Sequence, residues 1–167
     1  TAMHTYLEHY LDGTGYKDLT TLGKQAEVMA NKIIESGLGD LEELWGLETT
    51  LYYPDLYAGA TDVVGIYAGQ PAIIDFKQSN KPKRREWILD YFEQLGAYAM
   101  AHNQVYGTKI QSGIVLMCTK DFMFQKFEVS GREFVRYQHA FLKKVDQYHQ
   151  NCTQAKEGQD TKNDEKV

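Results

Sequence analysis

Two aspartates and a lysine stand at spacings that suit metal-assisted chemistry on phosphate esters. Asp75-Phe76-Lys77 ends an apolar run, and Asp62 lies thirteen positions earlier. Side chains alternate along a strand, so Asp75 and Lys77 should share one face. Paired carboxylate oxygens suit Mg²⁺ or Mn²⁺. A lysine beside the ion could hold an attacking water and offset the charge that builds on phosphorus.

The register of a β-hairpin decides whether the two aspartates meet. Opposed residues in an antiparallel pair keep a constant index sum, and a four-residue loop that pairs Ile66 with Pro71 sets this sum at 137. Asp62 and Asp75 have the same sum, so their β-carbons should lie roughly 4.5–5.5 Å apart. Bare carboxylates at that distance repel each other unless a cation joins them. A three-residue loop without a bulge would send them to opposite faces.

The alternative is that these side chains are ordinary surface charges on an exposed sheet face. Ala72-Ile73-Ile74 leads directly into Asp75. Such an apolar run predicts a strand covered on both faces, which favours a functional site. Glu48, on the preceding strand, could add a further carboxylate, but its mixed apolar neighbours favour a structural role.

Hydrophobic periodicity predicts an α/β domain with a mixed central sheet flanked by helices. Turn residues at Pro54-Asp55 and Ala68-Gly69-Gln70 separate the first three strands, and a hairpin turns near Lys120-Asp121. The predicted helices cover 2–11, 19–36, 86–106 and 132–149, and the predicted strands cover 44–53, 57–67, 71–78, 109–119 and 122–129. We expect residues 1–150 to form the domain and residues 151–167 to form a polar tail or a frayed extension of the last helix.

Composition excludes several classes of protein. The 167 residues are 43% hydrophobic and 25% charged, which is a globular balance. No apolar run could cross a membrane, and Thr1-Ala2-Met3-His4 has neither the basic stretch nor the apolar run of a signal peptide. We therefore expect an intracellular, non-secreted protein without a membrane partner. Two cysteines, Cys118 and Cys152, are too few for a disulfide scaffold or a four-cysteine metal site.

Charge is distributed unevenly along the chain, although the net charge is −5. Residues 1–80 carry 4 basic and 12 acidic side chains, whereas residues 81–150 carry 11 basic and 7 acidic ones. The densest cluster, which we call the basic run, follows the Lys77 strand and comprises Lys81, Lys83, Arg84 and Arg85. Its position suits phosphate binding at the mouth of the predicted site, although many such runs are simply solvated loops.

Two segments, Gly59-Ala60-Thr61-Asp62 and Ile73-Ile74-Asp75-Phe76-Lys77, resemble the core of the PD-(D/E)xK nuclease superfamily. The pattern is most similar to the RecB-like exonuclease branch, which includes mitochondrial and phage enzymes. That branch typically has a histidine on an early helix and Gln-x-x-x-Tyr on a later one, which His4, Gln94 and Tyr98 match. Thr61 replaces the proline of the superfamily name, and the cysteines of the iron–sulfur nucleases are missing.

The resemblance implies a restriction-endonuclease-like core and a metal-dependent DNA exonuclease that acts on linear DNA with free ends. Recombination, repair or phage DNA processing would be its setting, in a bacterial or phage cytoplasm or the mitochondrial matrix. The implied ligands of Mg²⁺ or Mn²⁺ are His4, Asp62, Asp75 and the backbone carbonyl of Phe76. The implied catalytic residues are Asp62, Asp75, Lys77 and Gln94, and Tyr98 would join the basic run in binding nucleic acid. Because the chain begins within the histidine motif, we expect that upstream residues can belong to the same domain.

Three alternatives remain open from the sequence. A structure-selective endonuclease or junction resolvase of the same superfamily would share the chemistry and differ in the DNA that reaches the site. A catalytically dead module would bind nucleic acid without cutting it. A small-molecule α/β domain has little support, because Gly13-x-Gly15 lacks the strand and helix that flank a phosphate-binding loop.

Overall fold

The computed structural model of the protein describes residues 1–53 and 57–164, without the side chains of residues 58 and 159–164. The predicted turn at Pro54-Asp55 therefore lies outside the described residues. The helices are α1 (Ala2–Asp12), α2 (Thr21–Gly37), α3 (Leu89–Tyr106) and α4 (Gly131–Asp164). The strands are β1 (Leu41–Tyr53), β2 (Tyr57–Tyr67), β3 (Gln70–Ser79), β4 (Ser112–Thr119) and β5 (Phe124–Ser130). Short 3₁₀ turns cover Leu38–Asp40 and Arg85–Trp87.

The strands form one five-stranded sheet in the order β1-β2-β3-β4-β5. Strands β1 to β3 are an antiparallel meander, β3 and β4 are parallel, and β5 returns antiparallel to β4. A parallel neighbour requires a crossover connection, which α3 provides. The mixed sheet predicted from periodicity is confirmed.

Helices cover both faces of the sheet, so β3 is buried on both sides as predicted. On one face α1 and α2 pack against Ile74 and Phe76, and on the other α3 and α4 pack against Ile73 and Val115. Thr20 begins α2 by accepting a hydrogen bond from the Gly23 amide. Alternation along β3 thus sends apolar residues into two separate cores, and Asp75 and Lys77 lie on the α3 side.

Two predicted boundaries shift for identifiable reasons. Strand β4 begins at Ser112 instead of residue 109, because the Asn103 side chain bonds both the N–H and the carbonyl of Ile110. Helix α3 begins at Leu89 instead of residue 86, because Ile88 takes a non-helical conformation (φ −121°, ψ 25°) after the 3₁₀ turn.

Helix α4 continues to Asp164, so the described part of the predicted tail takes the helical alternative. Its side chains are largely exposed from residue 143 to residue 158. Across 1–53 and 57–164, no helix combines the length and the apolar character needed to cross a membrane.

Candidate active site

Pairing between β2 and β3 stops one residue short of the two aspartates. The register joins Val63 to Ile74, which confirms the predicted index sum of 137. Beyond that pair, the Thr61 hydroxyl donates to the Ile74 carbonyl at 3.5 Å. Asp62 Oδ2 accepts the Phe76 backbone N–H at 2.8 Å. Side chains of β2 thus replace backbone partners here, and this opening of the ladder is where the predicted site residues gather.

Asp75 lies close enough to Asp62 to act on its ionisation, as the register arithmetic predicts. Burial, followed by the proximity of Asp75 and its negative charge, raises the pKa of Asp62 to about 8. The Asp62 side chain is only 19% exposed and that of Asp75 only 14%. Ionisation of Asp62 beside Asp75 is therefore disfavoured, because two buried carboxylates resist being charged together.

Lys77 is held against Asp75 on the same face of β3. Its Nζ lies 2.9 Å from Asp75 Oδ2 and 4.7 Å from the centroid of the Tyr91 ring. Burial disfavours the ammonium, but the Asp75 carboxylate outweighs this effect and raises the pKa of Lys77 above its usual value. The side chain is thus a fixed positive charge. Tyr91 lies seven residues before Tyr98 on α3, so both rings lie on one face of that helix.

His4 reaches the opening from α1. Its Nε2–H donates to the Phe76 carbonyl oxygen at 2.8 Å, and the same nitrogen lies 3.6 Å from Asp62 Oδ2. Burial lowers the pKa of His4, against the hydrogen bond to Phe76, which favours the charged form. A neutral imidazole that donates from Nε2 accepts at Nδ1, where the Thr1 hydroxyl lies at 2.6 Å. Phe76 is thus held at its amide by Asp62 and at its carbonyl by His4.

The donor set fits a hard divalent cation. Two carboxylates forced together against their own repulsion gain most from a positive ion between them, and the Phe76 carbonyl supplies a further oxygen beside them. The described residues contain no group of three or more His, Cys, Asp or Glu side chains arranged to hold a metal. Mg²⁺ commonly uses one or two carboxylates and keeps several waters, so this set suits it.

Glu48 lies closer to the site than the sequence analysis indicated. Register pairs that join Leu47 with Val63 and Thr49 with Thr61 place Glu48 opposite Asp62 on the neighbouring strand. Glu48 has a positive φ of 47°, which is uncommon for a residue with a side chain. Burial and a hydrogen bond to Glu48 raise the pKa of Glu8 to about 7. Glu8 of α1 and Glu48 of β1 therefore form a second acidic pair, on the strand next to that of Asp62.

The glycine of the Gly-x-x-Asp segment makes room for Tyr98. A β-carbon on Gly59 would lie 2.4 Å from Cε1 of Tyr98, which no real packing tolerates. Burial, followed by the charge of Asp75, raises the pKa of Tyr98. Tyr98 is therefore near the carboxylates, whereas Gln94, one turn earlier, is exposed.

Arg85 differs from the rest of the basic run because its guanidinium binds the protein itself. Nη2 lies 2.9 Å from Glu133 Oε1 and donates to the Glu128 carbonyl at 2.9 Å. The group also lies over the Phe92 ring, 4.7 Å from its centroid. These contacts fasten the loop to β5 and α4, so the predicted nucleic-acid contact by Arg85 would compete with them.

The other members of the basic run are more accessible. Lys81 and Arg84 are exposed, and Lys83 is half-buried. The Gln125 side chain accepts from the Lys83 amide at 2.8 Å and donates to its carbonyl at 2.9 Å. The backbone is thereby fixed, and the cationic side chains remain at the end of β3.

Comparison with known proteins finds curated relatives over about half of the chain. No family model matches the chain. Over 94 residues, 53% of the chain, it is 31% identical to mitochondrial genome maintenance exonuclease 1 of Xenopus tropicalis. Over 90 residues, 50% of the chain, it is 34% identical to the Homo sapiens protein of the same name. The matched region spans 26% of either relative, about a quarter of its length.

A solved structure shares the arrangement of the sheet and helices. It is that of a candidate exonuclease from Eubacterium rectale, which matches with a TM-score of 0.63 and 16% identity over 93% of this chain and 66% of that one. The chain therefore has a PD-(D/E)xK exonuclease-like fold, as the resemblance implied. The names of these relatives suggest a nuclease.

Proposed function

We propose that this chain is the core of an intracellular, divalent-metal-dependent deoxyribonuclease that hydrolyses phosphodiester bonds from the ends of linear DNA. Recombination, repair or phage DNA processing is the setting we infer for it. The observation that carries the proposal is the meeting of Asp62, Asp75 and Lys77 where the β2–β3 ladder opens. The exonuclease names of the relatives support the same chemistry.

Asp62, Asp75 and the Phe76 carbonyl would hold Mg²⁺ or Mn²⁺. His4 would be a further ligand in the tautomer that carries its proton on Nδ1, because a ring nitrogen that binds a metal cannot also carry a proton. Such an ion lowers the pKa of a bound water and polarises a phosphoryl oxygen. His4 already contacts the Phe76 carbonyl at 2.8 Å, and Asp62 contacts the Phe76 amide at 2.8 Å. Both contacts fix the direction of this peptide group, so its oxygen is oriented before any ion arrives.

Lys77 would stabilise the transition state instead of removing a proton. A lysine whose pKa is raised keeps its charge at neutral pH, so it makes a poor general base. Its ammonium is held by Asp75 at 2.9 Å and by the Tyr91 ring. A cation fixed in this way needs little reorganisation as negative charge develops on the phosphoryl oxygens. Gln94 would contact the substrate from the exposed side of α3.

End-labelled linear DNA and covalently closed circular DNA, single- and double-stranded, test the proposal with Mg²⁺ or Mn²⁺. We expect linear DNA to be degraded and circles to survive. Lys77→Ala should lose the activity. Lys126→Ala removes a strand lysine that is also ion-paired, to Asp40 and Glu128, and should retain it.

Three outcomes would contradict the proposal. Equal cutting of circles would favour the endonuclease or resolvase alternative. Binding without cleavage in Mn²⁺ would favour the dead binding module. Equal activity of wild type and Lys77→Ala would remove the assigned site.

A further inference from the structure

An exposed tryptophan carries an arginine on its face beside the basic run. Trp87 is 60% exposed, and the guanidinium carbon of Arg84 lies 5.5 Å from its ring centroid. Tryptophan is costly to leave in water, and this one contributes little to either core. Trp45, the other tryptophan, is 40% exposed, and its indole N–H donates to Glu43. The Arg84–Trp87 arrangement, here called the stacking pair, therefore calls for another explanation.

The backbone that carries the stacking pair is braced on both sides. The Trp87 amide donates to the Arg84 carbonyl at 3.0 Å within the 3₁₀ turn. Arg85, between them, is fastened to Glu133 at 2.9 Å, and Lys83 is fastened through both backbone groups to Gln125. The two side chains of the pair project from this fixed backbone, so a ligand that binds them orders little else.

The stacking pair lies next to the candidate active site. Tyr91 follows Trp87 by four residues, so their Cα atoms lie at most about 14 Å apart, and the centroid of the Tyr91 ring lies 4.7 Å from the Lys77 ammonium. Lys81 and Lys83 lie between the end of β3 and Arg84 and supply positive charge along the same path. A polyanion that reaches Lys77 would therefore pass cations and an open aromatic face together.

We propose that the stacking pair binds an unpaired nucleobase and gives the protein a preference for single-stranded DNA. The preference for single-stranded DNA as a substrate rests on the nuclease function proposed above. Base–aromatic stacking is tolerant of sequence because every base has a π-face. Arg84 adds a cation that can stack on the base or pair with its phosphate. Bases inside a duplex have both faces covered by neighbours and cannot use the site.

Intrinsic fluorescence tests the stacking directly, because the chain has two tryptophans. Trp45→Phe leaves Trp87 as the emitter, and Lys77→Ala in the same chain protects the DNA from digestion. Titration with oligo(dT) should quench this emission. The matched chain Trp87→Phe with Lys77→Ala, which emits from Trp45, should show no quenching. Inorganic polyphosphate, a polyanion without bases, should leave Trp87 emission unchanged.

Affinity for the same DNA provides the second measurement. In the Lys77→Ala chain, Trp87→Ala should weaken oligo(dT) binding about 5- to 160-fold, the range that loss of one stacked base corresponds to. Trp87→Tyr should restore most of the affinity. Tyr148→Ala, which removes an aromatic ring that is 65% exposed on α4, should leave affinity unchanged. Trp87→Ala should change binding to blunt duplex less than about twofold.

The outcomes separate this inference from the proposed function. Three results would each overturn the stacking site. The Trp87→Ala chain could bind oligo(dT) as tightly as its Lys77→Ala parent, oligo(dT) could fail to quench the emission of Trp87, or polyphosphate could quench that emission as much as oligo(dT) does. None of these results bears on whether the wild type cleaves DNA. Failure of the wild type to cleave any DNA would refute the nuclease, whereas quenching with loss of affinity would still establish the stacking site.

Discussion

Asp62→Asn should make the metal-free protein more stable while it abolishes catalysis. The asparagine Oδ1 can accept the Phe76 amide as Asp62 Oδ2 does at 2.8 Å, and its Nδ2 can donate to Asp75. The substitution thus reproduces the protonated aspartic acid that the metal-free fold prefers. It removes the charge that the proposed metal needs. Stability and activity should therefore change in opposite directions.

The size and the pH dependence of the stability difference between wild type and Asp62→Asn follow from the pKa of Asp62, which rises from 3.8 to about 8. A carboxyl whose pKa is higher in the folded chain than in the unfolded chain stabilises the fold. The full stabilisation is present at pH values below the unfolded-state pKa, and it is lost as the pH rises through the folded-state pKa. The wild type should therefore lose stability relative to Asp62→Asn between about pH 4 and pH 8. At about 1.4 kcal/mol per pH unit, the ceiling is roughly 5–6 kcal/mol. Since water reaches the edge of the pair, we expect roughly 1–3 kcal/mol.

Thermal unfolding of chelator-treated protein across this pH range is the assay. A gain of about 1–3 kcal/mol corresponds to roughly 2–12 °C in Tm for a chain of this size. Asp121→Asn, on the exposed turn between β4 and β5, should stay within about 0.5 kcal/mol of wild type at every pH. Adding Mg²⁺ at ten times its dissociation constant should stabilise the wild type by about 1.4 kcal/mol and leave Asp62→Asn unchanged.

A flat difference between wild type and Asp62→Asn from acid to alkaline pH would refute the reasoning, because it would mean that the carboxylates do not repel each other in the fold. So would an Asp62→Asn chain that is less stable than wild type at alkaline pH without metal. Equal stabilisation of both chains by Mg²⁺ would place the metal elsewhere.

Three further predictions concern the surroundings of the site. Lys77→Ala should lower the cleavage rate at least 100-fold while the chain stays folded, since roughly 10²–10³ is typical for one electrostatic donor; a smaller loss in labelled-DNA assays would contradict its role. Gly59→Ala should destabilise the protein by roughly 1–3 kcal/mol by displacing Tyr98, and adding Tyr98→Ala should recover part of that loss. If the free energies of unfolding lost by the two single variants simply add in the double variant, the clash is excluded. Arg85→Ala should cost roughly 1 kcal/mol in denaturant unfolding, while Arg84→Ala should cost almost nothing; equal losses would show that Arg85 does not brace the loop.

Strand alternation and the hairpin sum were enough to bring the acidic and basic groups of the site together. Both rest on local geometry, because side chains alternate with a period of two and a turn of given length fixes the register. Asp75 and Lys77 therefore had to share a face. The turn is two residues long, with Tyr67 paired to Gln70, but the index sum is the predicted 137, and this sum brings Asp62 to Asp75.

Other features depended on contacts between segments far apart in the sequence. His4 meets the Phe76 carbonyl across 72 positions, and Arg85 meets Glu133 across 48. In the sequence, the four residues of the basic run look like equivalent cations. Only the packing of β5 and α4 shows that the Arg85 guanidinium already binds Glu133 and the Glu128 carbonyl. The place of Glu48 opposite Asp62 likewise follows from the β1–β2 register.

The sequence by itself determined the alternating strands, the caps and the charges that the site can use, because these follow from the chain's short-range geometry. Tertiary structure decided where the β2–β3 ladder opens, which cations remain accessible and how an imidazole from α1 reaches the sheet. Those outcomes depend on how separate elements pack against one another, and packing is a property of the whole chain.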